Sequence, residues 1–338
     1  MFASLKIAVV ILNWNGQQLL QQFLPSILQH SKIDYCTIYV ADNASTDESI
    51  AVIKNKFPSV KIIQNTKNGG YAKGYNDALK HIDADIFALV NSDIEVTENW
   101  LSPIISEFKM NENTAIIQPK ILSYKSKEFF EYAGAGGGFI DKYGFPFCRG
   151  RIFNHLEKDN NQYDDTQQIF WASGACLFIR SSVFKELDGF DEHFFAHQEE
   201  IDLCWRAQNK GYQIKYVGTS TVYHIGGATL KESNPHKTFL NFRNSLFVLA
   251  KNLPKKSLYI TLFMRLVFDG IAGVFFLLKL KPTHTLAIIK AHFSFYSGFK
   301  MMFKKRNSTN KEDYYDTKSI VWLHFVKGIK LFSEIKKD

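Results

Sequence analysis

The chain has 338 residues, 46% of them apolar, and a formal net charge of +8 at neutral pH. Such a length and apolar content exclude a disordered chain and supply the core of one large α/β domain with an appendage, and no repeat of solenoid period is present. The charge is uneven: residues 1–230 hold 21 Lys and Arg against 26 Asp and Glu, whereas residues 231–338 hold 20 against 7, so the basic character belongs to the C-terminal third.

Ile7–Leu12 is a continuous β-branched run, the pattern of a buried parallel strand. It ends at Asn13-Trp14-Asn15-Gly16, before a helical pattern over about Gln17–Gln29. No charged leader precedes this run, and the expectation is a catalytic part in the cytoplasm. Cys36–Ala41 ends at Asp42-Asn43, and Ser45–Lys56 reads as a helix with Ser45 as cap and Glu48 three residues on. Val60–Ile63 precedes a helix over Ala72–His81, and Ile86–Val90 ends at Asn91-Ser92-Asp93. Four β-then-α alternations predict a parallel sheet with helices on both faces and ligands at the carboxyl ends of its strands.

Gly134 to Gly138 is glycine-rich, Asn154–Gln168 reads as a polar loop, and Phe170–Ile179 as a strand around Ser173-Gly174-Ala175. A helix follows from Glu199 to Lys210, stopped by Gly211, and a last strand over Gln213–Val217 precedes Tyr223-His224-Ile225-Gly226-Gly227. Cys36, Cys148, Cys176 and Cys204 lie far apart without metal-ligand spacing, which argues against a disulfide framework or structural zinc and for a reduced compartment.

Asp42 and Asp93 stand just past parallel strands, where a carboxylate either accepts hydrogen bonds from a base or ribose, holds a hard cation, or closes a turn. Asn68-Gly69-Gly70-Tyr71-Ala72-Lys73-Gly74-Tyr75-Asn76 offers flexible backbone and amides to a nucleotide, though it matches neither the dinucleotide fingerprint nor the P-loop. Glu199, Glu200 and Asp202 crowd a helix start, whose dipole should lower their pKa values. The apolar flanks Phe194, Phe195, Ile201, Leu203 and Trp205 point to a partly buried cleft and a general base.

Taken in order, Ile11–Gly16, Val40–Asp47, Asn68–Asn76, Asn91–Asp93, Ser173–Ala175 and Glu199–Arg206 resemble the family 2 glycosyltransferases, nearest their rhamnosyltransferase-like branch of bacterial surface polysaccharide synthesis. The resemblance covers residues 6–230. It implies a GT-A fold, with a nucleotide-sugar half over residues 1–100 and an acceptor half over 101–230, and inverting transfer from a nucleotide-diphosphate sugar, dTDP-rhamnose among the candidates. Donor contacts would fall to Asn13, Asn15, Asp42, Asn43, Gly70, Gly74, Asn76, Ser92 and Asp93, and acceptor contacts to Gly174, Ala175, Trp205 and Arg206. Asp93 would bind a divalent Mg²⁺ or Mn²⁺, with His224 as a second candidate ligand or else a packed histidine. Glu200 falls at the general base, with Glu199 as its rival and Asp202 acting through Arg206 or the helix start. Two departures stand out: Asn91 replaces the first acid of the family's Asp-x-Asp, and Glu199-Glu200 replaces its Glu-Asp pair. The alternatives are a sugar-phosphate nucleotidyltransferase, for which Asn13–Gly16 lacks the basic triphosphate loop, and a non-catalytic nucleotide-sugar-binding partner.

Residues 231–338 read as a basic helical region. Leu258–Leu278 is its most apolar stretch, but Arg265 and Asp269, four apart and able to pair, argue against a clean membrane span. Two amphipathic helices are predicted, one striped by Leu286, Ile289, Phe293, Tyr296, Phe299 and Phe303. The other is striped by Trp322, Phe325, Val326, Ile329 and Phe332, with Lys327, Lys330, Glu334 and Lys337 largely outside the stripe. Lysines and aromatics together favour peripheral or monotopic attachment to anionic lipid at the cytoplasmic face of the inner membrane; no nucleic-acid motif accompanies them. The partners expected are a nucleotide-sugar donor, a glycan or lipid-linked saccharide acceptor and an anionic membrane surface, with no nucleic acid.

Overall fold

The computed structural model describes residues 4–226, 234–306 and 311–335; Gly227 and Lys337, named above, lie outside them. In chain order the first elements are β1 (Ile7–Asn13), α1 (Gln17–His30), β2 (Cys36–Asp42), α2 (Ser49–Lys56), β3 (Lys61–Gln64), α3 (Gly70–Leu79) and β4 (Ile86–Asn91). β1 pairs in parallel with both β2 and β4, and β2 with β3. Alternate β1 residues serve opposite faces. Ile7, Val9 and Ile11 pack with Leu20, Leu24 and Ile27 of α1, while Ala8 and Val10 pack with Ala72, Tyr75 and Ala78 of α3. A strand buried on both sides must be apolar throughout, and each fully buried aliphatic side chain contributes about 1.5–3 kcal/mol.

Beyond β4 the sheet becomes mixed. β5 (Ile94–Val96), α4 (Ser102–Met110) and β6 (Thr114–Ser123) are followed by β7 (Gly138–Ile140), β8 (Pro146–Cys148), β9 (Arg151–Ile152) and β10 (His155–Leu156), which form a separate four-stranded sheet. Next come β11 (Thr166–Gln168), β12 (Cys176–Arg180), α5 (Ser181–Glu186), α6 (Glu199–Asn209) and β13 (Gln213–His224). The main sheet runs β11-β13-β6-β12-β4-β1-β2-β3, with β5 on β13 and β12 antiparallel between β4 and β6.

Several expectations are corrected. The second helix starts at Ser49, because Ser45 is held back in a turn by Asn13 and Asp42. Asn154–Gln168 is not wholly loop, since its ends pair as β10 and β11. The strand expected over Phe170–Ile179 begins only at Cys176, and β13 runs on past Val217 to His224. The four cysteines are free thiols.

The C-terminal third comprises α7 (Pro235–Asn252), α8 (Leu258–Leu278), α9 (Pro282–Lys304) and α10 (Ile320–Phe325). The amphipathic helix expected through Phe332 stops at Phe325: Gly328 takes a left-handed φ of 72° and Ile329 N–H returns to the Leu323 carbonyl. Leu246 and Leu249 of α7, together with Tyr314 and Ile320, share one core with Trp205, Phe139 and the sheet. Trp205 stacks on Tyr314 with ring centres 5.0 Å apart, and Asp141 accepts the Ile320 N–H at 3.0 Å.

α8 is amphipathic in reverse. Thr261, Arg265, Asp269 and Gly273 face the protein, while Ile260, Phe263, Ile271 and Leu278 face outward. Arg265 Nε lies 2.9 Å from Asp269 Oδ1, its NH1 donates to the Gly144 carbonyl at 3.0 Å, and His292 of α9 contacts Asp269 at 3.3 Å.

Candidate active site

The carboxyl ends of β1, β2 and β4 meet in a hydrogen-bonded floor. Asn13 Nδ2 donates to Asp42 Oδ1 and to Ser45 Oγ, both at 3.1 Å, and Ser45 N–H donates to Asp42 Oδ2 at 3.0 Å. Asn15, at a positive φ of 52°, donates its N–H to Ser45 Oγ and accepts from Thr46 N–H at 2.7 Å. Asp42 is buried and each of its oxygens accepts one hydrogen bond within the turn, while Asn13 Oδ1 is buried without a partner. Asn43 donates to Asn68 Oδ1 and the Gly70 carbonyl, which ties the glycine turn to the end of β2.

Gly70 has a φ of 77°, and a β-carbon there would lie 2.5 Å from the Phe195 carbonyl; Gly74 admits Leu12 and Asn43 in the same way. Asn76 points elsewhere, its amide exchanging hydrogen bonds with the Phe190 backbone at 2.8 and 2.9 Å. Ser92 is half-buried beside Asp93.

Asp93 Oδ1 lies 3.1 Å from His224 Nε2, brought there by antiparallel pairing of β5 with the end of β13. The other ring nitrogen, Nδ1, lies 3.3 Å from Glu131 Oε2. Burial alone would lower the imidazole's pKa, but the Asp93 and Glu131 carboxylates on either side of the ring push it up to about 10, so the ring carries its proton at neutral pH. Because Glu131 addresses the opposite nitrogen, the three groups do not converge on one point. Among the described residues no three His, Cys, Asp or Glu side chains do. Once a divalent ion displaces the ring proton, a carboxylate and an imidazole side by side, with a carboxylate behind the ring to orient it, are donors that fit the ion.

Glu199 and Glu200 open α6 directly after Gln198 in a left-handed conformation. Glu199 is buried and Glu200 half-buried, and each has an Oε2 atom without a hydrogen-bond partner. The dipole-lowered pKa expected from sequence is corrected here. Burial raises both, with repulsion from Glu200 adding to the rise at Glu199, which goes well above the carboxylate range while Glu200 reaches about 7. Only Asp202 is lowered: burial opposes, but Arg206 and Lys251 prevail.

Tyr71 bears on both the floor and the carboxylate pair. Its hydroxyl donates to the Gly174 carbonyl at 2.8 Å, and its own pKa is raised by burial first, then by Tyr75, Glu199 and Glu200. Ala175 in turn accepts the N–H of Asn91, two residues before Asp93. Gly174 and Ala175 thus line the seam between the floor and the carboxylate pair. Trp205 and Arg206 do not line it. Helical spacing turns them into the core, where Trp205 is 1% exposed and Arg206 binds Asp202 and the carbonyls of Leu187 and Gly189. Glu131 was missed in the sequence, since it lies 93 residues before His224 and outside every motif.

A family model, Glycosyl transferase family 2, matches residues 8–188, and the chain belongs to that family. It is 23% identical over 234 residues to the N-acetylglucosaminyl-diphospho-decaprenol L-rhamnosyltransferase of Mycobacterium tuberculosis, covering 64% of this chain and 75% of that one. In three dimensions it resembles TarS 1–349 of S. aureus in complex with UDP-GlcNAc, with a TM-score of 0.57, 16% identity, and coverage of 89% and 84% of the two chains. It also resembles the mannosyltransferase PcManGT of Pyrobaculum calidifontis in complex with GDP-Man and Mn²⁺, with a TM-score of 0.54, 12% identity, and coverage of 87% and 88%. The fold is of the GT-A type.

Proposed function

We propose that the protein transfers a sugar, with inversion, from a nucleotide-diphosphate donor to a glycan or lipid-linked saccharide acceptor in cell-surface polysaccharide synthesis. The observation that carries this is the Glu199–Glu200 pair, one buried and one half-buried, each with a carboxylate oxygen lacking a hydrogen-bond partner, beside Tyr71, whose hydroxyl binds the Gly174 carbonyl next to the polar floor. A carboxylate that burial has brought to a pKa near 7 is matched to taking a proton from a hydroxyl at neutral pH. Glu200, the more open of the two, is the base.

The donor's base and ribose would lie over Asn13, Asn15, Asp42 and Asn43, with its diphosphate toward Ser92, Asp93 and His224. Asp93 and His224 would hold a divalent ion, and Mn²⁺ in a mannosyltransferase of like fold supports that choice. Such an ion neutralises charge that develops on the leaving diphosphate. Glu200 removes the acceptor hydroxyl's proton as its oxygen bonds to the anomeric carbon, and the nucleotide diphosphate departs from the opposite face. The proton then passes from Glu200 to water.

The rhamnosyltransferase relative makes dTDP-rhamnose the first donor to try. Nucleotide release would be measured over dTDP-, UDP- and GDP-sugars with Mn²⁺ or Mg²⁺, and the product's anomeric configuration read by NMR. Failure of every donor, or retained configuration, overturns the reading.

The α8–α9 surface supports attachment to an anionic membrane at the cytoplasmic face. Phe263, Ile271 and Phe293 are outward, Lys255, Lys256, Lys279, Lys281 and Lys290 are exposed on the same stretch of chain, and the paired Arg265–Asp269 faces protein. α8 is long and apolar enough to cross a bilayer. Its one-sided burial favours lying in the interface.

A further inference from the structure

We infer that Asn244 of α7 is a positioning residue for the Glu199–Glu200 pair, an inference that rests on that pair supplying the base. The six residues before the pair, His193 to Gln198, run from a 3-10 turn (Glu192–Phe194) into a loop with three non-glycine residues at positive φ: Phe195 at 64°, His197 at 70° and Gln198 at 73°. Such backbone is strained and persists only where its surroundings over-determine it. It also turns successive carbonyls toward one side, where an acceptor needs a donor.

Asn244 is that donor. It is 0% exposed, and its Nδ2 lies 3.0, 2.9 and 2.8 Å from the carbonyls of Phe194, Ala196 and His197. The amide's orientation is set by Arg243, whose Nε donates to Asn244 Oδ1 at 2.9 Å and whose NH2 reaches the carbonyls of His193 and Phe194 at 3.2 Å. From the far side, Tyr71 N–H donates to the Phe195 carbonyl at 2.9 Å, against the turn where Gly70 leaves room for the Phe195 ring. The loop is therefore gripped between the donor turn and a helix that follows the family-matched residues 8–188. Releasing the α7 grip lets the strained carbonyls seek other partners and moves the start of α6, which carries the base. A misplacement of about 1 Å at a reacting group costs roughly 10²-fold in rate.

The test uses the full chain. In Asn244→Ala, turnover should fall about 10²-fold, while nucleotide-diphosphate affinity by calorimetry stays near that of the parent. Leu249→Ala, on the same helix where Leu249 packs against Gly144, is the stability control: it should lower the unfolding midpoint and keep turnover. In a Glu200→Gln background, Asn244→Ala should cost nothing further, because its effect passes through the base. Should Asn244→Ala not fold, Arg243→Lys, which frees the amide's orientation, should give a smaller loss in the same direction. Retained turnover in the folded variant, an equal loss in Leu249→Ala, or full additivity with Glu200→Gln overturns the inference. If Glu199→Gln and Glu200→Gln both keep turnover, the base reading itself has failed; if they lose it and Asn244→Ala does not, only the positioning role has.

Discussion

Lys251 of α7 places its ammonium 2.9 Å from Asp202 Oδ2, two residues beyond Glu200 and in the interior of the protein. The same ammonium lies 2.9 Å from Asp191, which Lys305 also contacts at 2.8 Å. Lys251→Met removes the cation that bridges two buried carboxylates and leaves each with one cationic partner, Asp202 with Arg206 and Asp191 with Lys305, and it should destabilise the protein by about 1–3 kcal/mol in urea unfolding. Burial opposes ionisation of Asp191, yet Lys251 and Lys305 hold its carboxyl well below the ordinary range. The depressed folded-state pKa means that this stabilisation is present above about pH 4 and is lost as pH falls further. Acid unfolding of Lys251→Met should begin at higher pH than that of the parent.

Glu199 works in the opposite sense. Its folded-state pKa is raised by burial and by Glu200, so the folded protein binds this proton more tightly than the unfolded chain does. Stability then declines as pH rises from the unfolded value toward the folded one. Glu199→Gln should raise the unfolding midpoint at pH 8 by a few degrees and leave it unchanged at pH 4. An equal shift at both values would show that its carboxyl is ordinary.

For Glu200→Gln, turnover should drop by about 10²–10⁴-fold with donor binding intact, because the amide keeps the shape and cannot accept a proton. In the parent, turnover should fall as pH drops through about 7, where Glu200 takes up its proton. Glu199→Gln should cost less. If it costs more, the base lies one residue earlier.

Asp93→Ala should abolish Mn²⁺-dependent binding of nucleotide diphosphate in calorimetry, since Asn91 offers no carboxylate in compensation. Glu131→Gln, which loosens the far side of His224, should weaken the metal by about 10–100-fold. Unchanged affinity in Asp93→Ala would move the metal elsewhere.

Flotation with anionic vesicles tests the α8 face. Phe263→Asp combined with Ile271→Asp should abolish flotation and spare the fold, because both side chains point away from the protein. A parent that resists carbonate extraction would instead be a spanning protein.

Strands β1 and β4 and their polar ends were legible because a doubly buried strand has no polar residues until it leaves the sheet, whereas β2 and the edge strand β3 showed only as short apolar runs. Asp42, Asp93 and Glu200 announced themselves by standing where such runs or an acidic helix start end. The pairing of Asp93 with His224 was not legible, since it depends on β13 running past Val217 through a register shift to meet β5. Nor was the raised pKa of Glu199 and Glu200. The helix dipole can be read from sequence, but the burial that overrides it comes in part from residues such as Tyr71 that are distant in the chain. Phe325 looked like the middle of a helix because hydrophobic spacing continues through Phe332, whereas Gly328 breaks the backbone beneath it.

The outward side of α8 has a further consequence for the protein in a test tube. Leu278 is 78% and Leu280 just beyond it 89% exposed, and Ile260, Phe263, Ile271 and Val274 are outward too, so the apolar exposure runs the length of the helix. In plain buffer, two such faces should find each other. Size-exclusion profiles should then depend on protein concentration and collapse to one small species on addition of mild detergent, and catalytic measurements will be reproducible only where that colloidal equilibrium is controlled.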